Sequence, residues 1–179
     1  MEVKSLAEIG VLEAAYENGA KSLGTAKVAL RDRWAANLRD DETLIRLLFL
    51  NWYSCSEPGW LTGLEPSEEN EFDNLVAEAG SWENFEPESK FILGVLANSF
   101  PYCCGEEEKW AGLSPSLFQE AEKQAPDSLV FRNWEYLLGL NEEPNDPRIH
   151  IKPELHARFH GRGYMGTYLL HILGQSVGL

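Results

Sequence analysis

The chain has 179 residues, a length at which a polypeptide usually folds as one domain. Apolar residues make up 44% of it and aromatic residues 11%, which supports a sizeable core and excludes an intrinsically disordered protein. Its 29 acidic and 15 basic residues give a net charge of −14. Such a surface repels phosphates and anionic lipids, so we exclude nucleic-acid and membrane partners and expect attraction to basic proteins.

The first three elements have the apolar periodicity of helices. Apolar residues three and four positions apart predict a helix over 5–18, and Thr25 is expected to cap a second that reaches about residue 40. Asp41 is expected to cap a third helix, over 44–53, which Pro58 prevents from continuing. This third helix is apolar on nearly every side and is therefore predicted to be central.

The remaining elements are also predicted to be helical. Ser67 as N-cap, followed by acids in a first turn, indicates a fourth helix over 67–79. Prolines near helix starts indicate a fifth over 87–99 and a sixth over 114–125, and Asp127 is expected to cap a seventh. A loop over 141–147, a short element over 153–160 and a last helix over 164–177 follow. Only 148–151 suggest a short extended piece, and no repeat of fixed period is present. The sequence predicts one all-α, non-repeat domain of about seven to nine helices over 1–179.

The N-terminus and the cysteines indicate the compartment. The N-terminal stretch lacks the basic start and continuous apolar centre of a secretory signal, and no apolar run approaches the roughly 18 residues of a membrane helix. The three cysteines, Cys55, Cys103 and Cys104, are odd in number, and two of them are adjacent. We therefore expect reduced thiols and a cytoplasmic protein, with Cys103 and Cys104 as small buried side chains.

Charge is unevenly distributed along the chain. Residues 57–108 contain 13 acids and a single base, Lys90, which predicts an acidic face. From residue 147 to 179 there is one acid against four bases. In this basic segment Arg158 and Arg162 either contact an anion or pair with glutamates of the chain itself.

The histidines suggest a metal site as an alternative. His156 and His160 stand four residues apart, with Glu154 and His150 nearby, and two imidazoles at that spacing on a helix can share one zinc ion. The metalloprotease pattern requires a glutamate directly after the first histidine, but Ala157 occupies that position. We favour surface histidines and predict no metal and no cofactor.

An aromatic-rich stretch, WYSCSEPGWLTGL, follows the third helix. Trp52 extends the apolar face of that helix and is predicted to pack in the core. For Trp60 we favour packing, as a cover for the helix end, over exposure as an anchor for a partner. Both interpretations remain open for this residue.

The same stretch resembles a segment of the small acidic helical immunity proteins of bacterial contact-dependent inhibition and other polymorphic toxin systems. It covers roughly 15 of the 179 residues and includes no catalytic group. The resemblance implies a cytoplasmic protein that binds one toxin domain and covers its active site or substrate path. An acidic face would serve this role by taking the place of phosphates in a basic groove.

The leading hypothesis is thus an immunity protein that binds a basic toxin domain and performs no chemistry. The residues expected to contact the partner are the acids and the tryptophan of the middle segment: Glu57, Trp60, Glu65, Glu68, Glu69, Glu71, Asp73, Glu106, Glu107 and Glu108. Two alternatives are a metal-dependent helical enzyme that uses His150, His156 and His160, and a scaffold whose acidity serves solubility alone.

Overall fold

A computed structural model describes residues 3–145 and 150–179, and within these ranges every regular element is a helix. The helices are α1 (Leu6–Glu17), α2 (Leu23–Ala35), α3 (Asp41–Ser56), α4 (Gly59–Thr62), α5 (Glu71–Glu78), α6 (Pro87–Ser99), α7 (Glu107–Gln124), α8 (Leu129–Arg132), α9 (Trp134–Leu137), α10 (Ile151–Phe159) and α11 (Gly163–Gly174). Short 3-10 turns occupy Trp82–Asn84, Pro101–Cys103 and Gln175–Val177. Eight of the α-helices have eight residues or more, and the predicted all-α architecture is confirmed.

Helices α1 and α6 lie where the sequence predicts them, because both begin with local signals. Ser5 and Glu8 form a reciprocal capping box, in which the Ser5 amide donates to the Glu8 carboxylate at 2.8 Å. Pro87 occupies the first turn of α6, where a missing N–H costs nothing. Local chemistry alone therefore defines the start of each of these helices.

Several predicted helix starts are wrong by one to seven residues. Thr25, expected to cap the second helix, lies inside α2, which begins at Leu23. The predicted fourth helix corresponds to α5. It begins at Glu71 because Asn70 adopts a left-handed conformation (φ 61°), so Glu68 and Glu69 lie in the preceding loop. The predicted sixth helix corresponds to α7. It begins at Glu107 and not at residue 114, and Pro115 lies inside it. Asp40, one residue before the expected Asp41, caps α3 by accepting a hydrogen bond from the Thr43 amide at 2.8 Å.

Other predicted bounds shift for similar reasons. The second helix ends at Ala35, five residues early, and Asn37 beyond it has a positive φ of 62°. The predicted seventh helix is divided at Asn133 into α8 and α9. Ser128, and not Asp127, caps α8. Of the proposed extended piece, 148–149 lie outside the described residues and Ile151 begins α10.

Helix α3 is central, as its apolar surface predicts. Every residue from Thr43 to Tyr53 is buried, and the helix packs against α2, α5, α6 and α11. Trp52 is fully buried and donates its indole N–H to the Leu96 carbonyl at 3.0 Å, which confirms its predicted place in the core. One contiguous cluster of buried apolar side chains joins all the longer helices.

A buried ion pair connects the first, third and last helices. The Arg46 guanidinium lies 2.8 Å from the Glu13 carboxylate, and both side chains are almost fully buried. The same carboxylate accepts a hydrogen bond from the Tyr164 amide, in the first turn of α11, at 2.8 Å. Burial raises the pKa of Glu13 despite the opposing attraction of Arg46.

The described part of the basic segment, from residue 150 onward, uses its arginines internally. Arg158 lies 3.1 Å from Glu88 and 2.8 Å from Glu154, and its guanidinium covers the Phe131 ring. Arg162 contacts both Glu42 and Glu88. Of the two alternatives for these arginines, pairing with the chain's own glutamates is therefore the one observed. They join α10 and the start of α11 to α3 and α6.

Candidate partner-binding surface

Close backbone contact fixes the loop that carries the first acidic residues. The loop leaves α3 at Glu57, passes through α4 and returns across the start of α2. At Gly24 a Cβ atom would lie 1.9 Å from the Gly63 carbonyl oxygen, so only glycine permits this approach. The path of the chain from Pro58 to Pro66 is thus set by backbone packing against α2.

A polar network then holds Ser67 against two helices. The Lys27 ammonium donates to the Ser67 hydroxyl at 2.9 Å, and Ser67 donates to the side-chain oxygen of Asn51 at 2.7 Å. Ser54 lies 2.7 Å from the same hydroxyl. Lys27 is only 7% exposed, and burial, with the nearby Arg31 charge, lowers its pKa to about 8. The loop at residues 65–70 is therefore anchored from below by α2 and α3.

Two of the acids expected on the surface are used inside the protein. Glu71 is 10% exposed and contacts both Lys27, at 3.4 Å, and Arg31. Asp73 lies 2.7 Å from the Lys109 ammonium and accepts a hydrogen bond from the Trp110 indole at 3.0 Å. These two carboxylates hold α5 against α2 and α7, which is a structural use of their charge.

The other predicted acids lie at the surface. Glu57 is half-buried at the end of α3, whereas Glu65, Glu68 and Glu69 are exposed in the loop before α5. A second exposed group, Glu106 to Glu108, opens α7. Within residues 3–145 and 150–179, none of these seven carboxylates makes an ion pair. Their charge is directed to solvent.

A cleft of about 500 Å³ lies beside the exposed acids of the loop before α5. Glu68 and Glu69 line it from the loop, Tyr102 and Gly105 line it from the turn after α6, and Asn51 contributes from α3. Cys55 and Cys103 form a disulfide in its wall, with Cα atoms 5.5 Å apart. The expectation of three reduced thiols is wrong for this pair, so the cysteines no longer support the expected cytoplasmic location. Cys104 is a free, buried thiol whose pKa burial raises.

Trp60 is 73% exposed, so the favoured interpretation of it as a packed cover is wrong. Leu61, the next residue, is 43% exposed. Sequence reasoning also missed two exposed aromatic residues, Phe100 and Tyr102, which are 38% and 52% exposed. The sequence signal for them is FPYCCG, in which two aromatic residues flank a proline just past a helix end.

The histidines lie together in part. The His156 and His160 rings stack with centroids 4.6 Å apart, and both side chains are exposed, as is His150 before α10. The Glu154 carboxylate accepts hydrogen bonds from the Ser128 hydroxyl, at 2.7 Å, from the Leu129 amide and from Arg158. The described ranges contain no group of three or more His, Cys, Asp or Glu side chains arranged to hold a metal ion.

No helix in the described part of the chain combines the length and apolar character needed to cross a membrane. Comparison of the chain with models of protein families, with curated proteins and with solved structures returns no match. What can be said of function therefore depends on the residues and their arrangement.

Proposed function

We propose that this chain is an acidic, cytoplasmic, bacterial binding protein that neutralises a basic toxin domain by covering its active site or substrate path. The observation that supports this best is the set of exposed carboxylates without cationic partners within residues 57–108, two of which, Glu68 and Glu69, line the cleft. The buried charges of Glu13 and Arg46 pair with each other, whereas these exposed acids contact no cation within the described ranges, so their electrostatic attraction is available for a partner.

In this proposal the surface acids mainly increase the rate at which the two proteins associate, and they add less to the affinity of the complex. Exposed charges at an interface rim are screened and contribute little each, but together they accelerate the approach of a basic protein. Glu71 and Asp73 support the surface from behind through their ion pairs with Lys27, Arg31 and Lys109. Trp60 is also exposed but lies outside the cleft.

The test uses charge reversal at the cleft with a matched reversal elsewhere. Changing Glu68 and Glu69 to lysine moves the net charge from −14 to −10, since each reversal adds two charges. Reversal of the exposed Glu142 and Glu143 changes net charge equally at another site. Both proteins are measured against the toxin domain encoded beside the chain's gene, by association kinetics and by protection of cell growth.

We expect Glu68→Lys with Glu69→Lys to slow association at least about tenfold at low salt, with the difference shrinking as salt rises. The Glu142→Lys and Glu143→Lys control should change the rate far less. Failure of the unmodified protein to bind or protect against that toxin domain would refute the proposed function. Equal slowing by both pairs would show that net charge, and not this surface, governs the encounter.

A further inference from the structure

Phe100 and Tyr102 form an exposed aromatic ledge on a rigid base. Their ring centroids are 5.9 Å apart, and the Phe100 ring lies 5.6 Å from the buried Trp52 ring. The Trp52 indole also lies within hydrogen-bond distance of the Phe100 carbonyl, at 3.3 Å, and the next residue after Tyr102 is covalently tied to α3. An exposed ring held in one place loses little entropy on binding, which is a property of interface hot spots.

The ledge shares the cleft with unpaired carboxylates. Tyr102 lines the same cavity of about 500 Å³ as Glu68 and Glu69. An aromatic face beside carboxylates is the environment that guanidinium and ammonium groups prefer, through cation–π attraction together with charge-assisted hydrogen bonds. Trp60, although more exposed, does not line this cavity.

We propose that this cleft receives one arginine or lysine side chain of the protein partner, with Tyr102 as the anchoring ring. The inference rests on the proposed function and adds to it the chemistry of the central contact. Glu68 and Glu69 repel an anionic occupant, and a purely apolar occupant would bury their charges without a partner. A free small cation would leave the exposed faces of Phe100 and Tyr102 in water, whereas a protein surface around the inserted side chain covers them and excludes water from the contact.

The proposal gives different roles to two exposed aromatic residues, Tyr102 and Trp60. Tyr102 lines the cleft together with Glu68 and Glu69, and it is the central contact. Trp60 lies outside the cavity and contributes at most at the edge of the interface. Substitution of each by alanine removes a comparable exposed ring, so Trp60→Ala is a matched control for Tyr102→Ala.

The probe is a ten-residue peptide of alternating arginine and glycine, titrated by calorimetry near physiological salt, with a glutamate–glycine peptide and arginine amide as comparisons. We expect the arginine peptide to bind the unmodified protein at one site and the other two ligands to bind at least tenfold more weakly. Tyr102→Ala, and separately Glu68→Gln with Glu69→Gln, should weaken peptide binding at least fivefold. Tyr102→Phe should retain most of it, and Trp60→Ala should change it less than twofold.

Several results would overturn the inference. One is the absence of peptide binding to the folded protein, and another is an equal loss of binding from Tyr102→Ala and Trp60→Ala. A third is arginine amide that binds as tightly as the peptide, because this would indicate a site for a small cation. Thermal melting of each variant identifies losses caused by unfolding, and Glu68→Gln with Glu69→Gln preserves the test if Tyr102→Ala does not fold. If the unmodified protein protects cells and the Tyr102→Ala variant protects them equally well, this inference alone is refuted. The proposed function then remains intact.

Discussion

Arg158 and Arg162, near the end of the chain, each contact two carboxylates, whereas Glu68 and Glu69, in the middle of it, contact no cation in the described structure. Both regions are strongly charged segments in the sequence. In the first, the charges join helices to one another. In the second, they face solvent around a cleft. The net charge of a segment therefore does not reveal whether its charges belong to the fold or are free for a partner; that depends on which groups the fold brings opposite them.

The two regions are also held in place by different means. Ion pairs attach α10 and the start of α11 to α3 and α6. The acidic region is attached by the Cys55–Cys103 disulfide, the Gly24–Gly63 backbone contact and the network around Lys27 and Ser67. Because these attachments do not use the exposed carboxylates, the acidic surface keeps its charge without losing its shape.

The largest effect should come from breaking the most deeply buried use of charge. Glu13→Gln leaves Arg46 almost fully buried without a counter-charge, and we expect the free energy of unfolding to fall by about 3–5 kcal/mol. Glu17→Gln, an exposed change on the same helix, should stay within about 0.5 kcal/mol. Urea unfolding measures both. A loss below about 1 kcal/mol for Glu13→Gln would mean that this pair does not hold the first, third and last helices together.

The next effect concerns the covalent attachment of the acidic region. The disulfide joins residues 48 positions apart, and closing a loop of that size stabilises a fold by about 2–4 kcal/mol. Reduction should lower the melting temperature of the unmodified protein, and Cys55→Ser should abolish the response to reductant. Titration of thiols in the unfolded protein should find one free group, Cys104. Three titratable thiols and an unchanged melting temperature would show that the bridge does not form in solution.

A third effect separates the network under the acidic loop from the loop itself. The folded-state pKa of Lys27, about 8, lies below its unfolded value of 10.5, so the unfolded chain binds more protons between these values. Lys27 should therefore make stability rise with pH, by about 1–2 kcal/mol between pH 7.5 and 9.5. Lys27→Met should remove that rise in urea unfolding at the two pH values. An identical pH dependence in both proteins would mean that the buried ammonium is not destabilised by its site.

The smallest effects compare the two charged regions directly. Arg162→Met removes a side chain that contacts two carboxylates and should cost about 1–2 kcal/mol of unfolding free energy. Glu68→Gln with Glu69→Gln removes two exposed charges outside any helix and should change it by less than about 0.5 kcal/mol. If the double change proved the more damaging, the acidic region would be part of the structural framework and not a free surface.

Local signals explain which parts of this fold were predictable. The Ser5–Glu8 capping box and Pro87 define helix starts through residues within one turn, so the sequence alone locates α1 and α6. Pro115 has the opposite outcome: it normally marks a helix start, but burial of Trp110, Leu117 and Phe118 on one face offsets the hydrogen bond that it removes, and α7 continues through it. Such a balance is set by tertiary packing.

The candidate site was predictable in composition but not in arrangement. The acidic stretch from Glu57 onward was visible as a run of charge, and its exposed members are where the sequence suggested. That Glu71 would be enclosed by Lys27 and Arg31, about 40 residues away, depends on how α2 and α5 pack. The exposure of Trp60 and Tyr102 likewise follows from the path of short connecting segments, which no periodicity encodes.

The contact between Glu13 and the Tyr164 amide has a consequence for synthesis of the chain. The two residues are 151 positions apart, so α1 and α3 leave the ribosome long before the backbone group that completes the environment of the Glu13 carboxylate exists. A nascent chain that stalls before α11 holds a buried carboxylate one hydrogen-bond donor short and a core open along α1 and α3. Full enclosure of the Glu13 carboxylate is therefore a late step of folding on the ribosome, because it requires α11 to pack against α1 and α3.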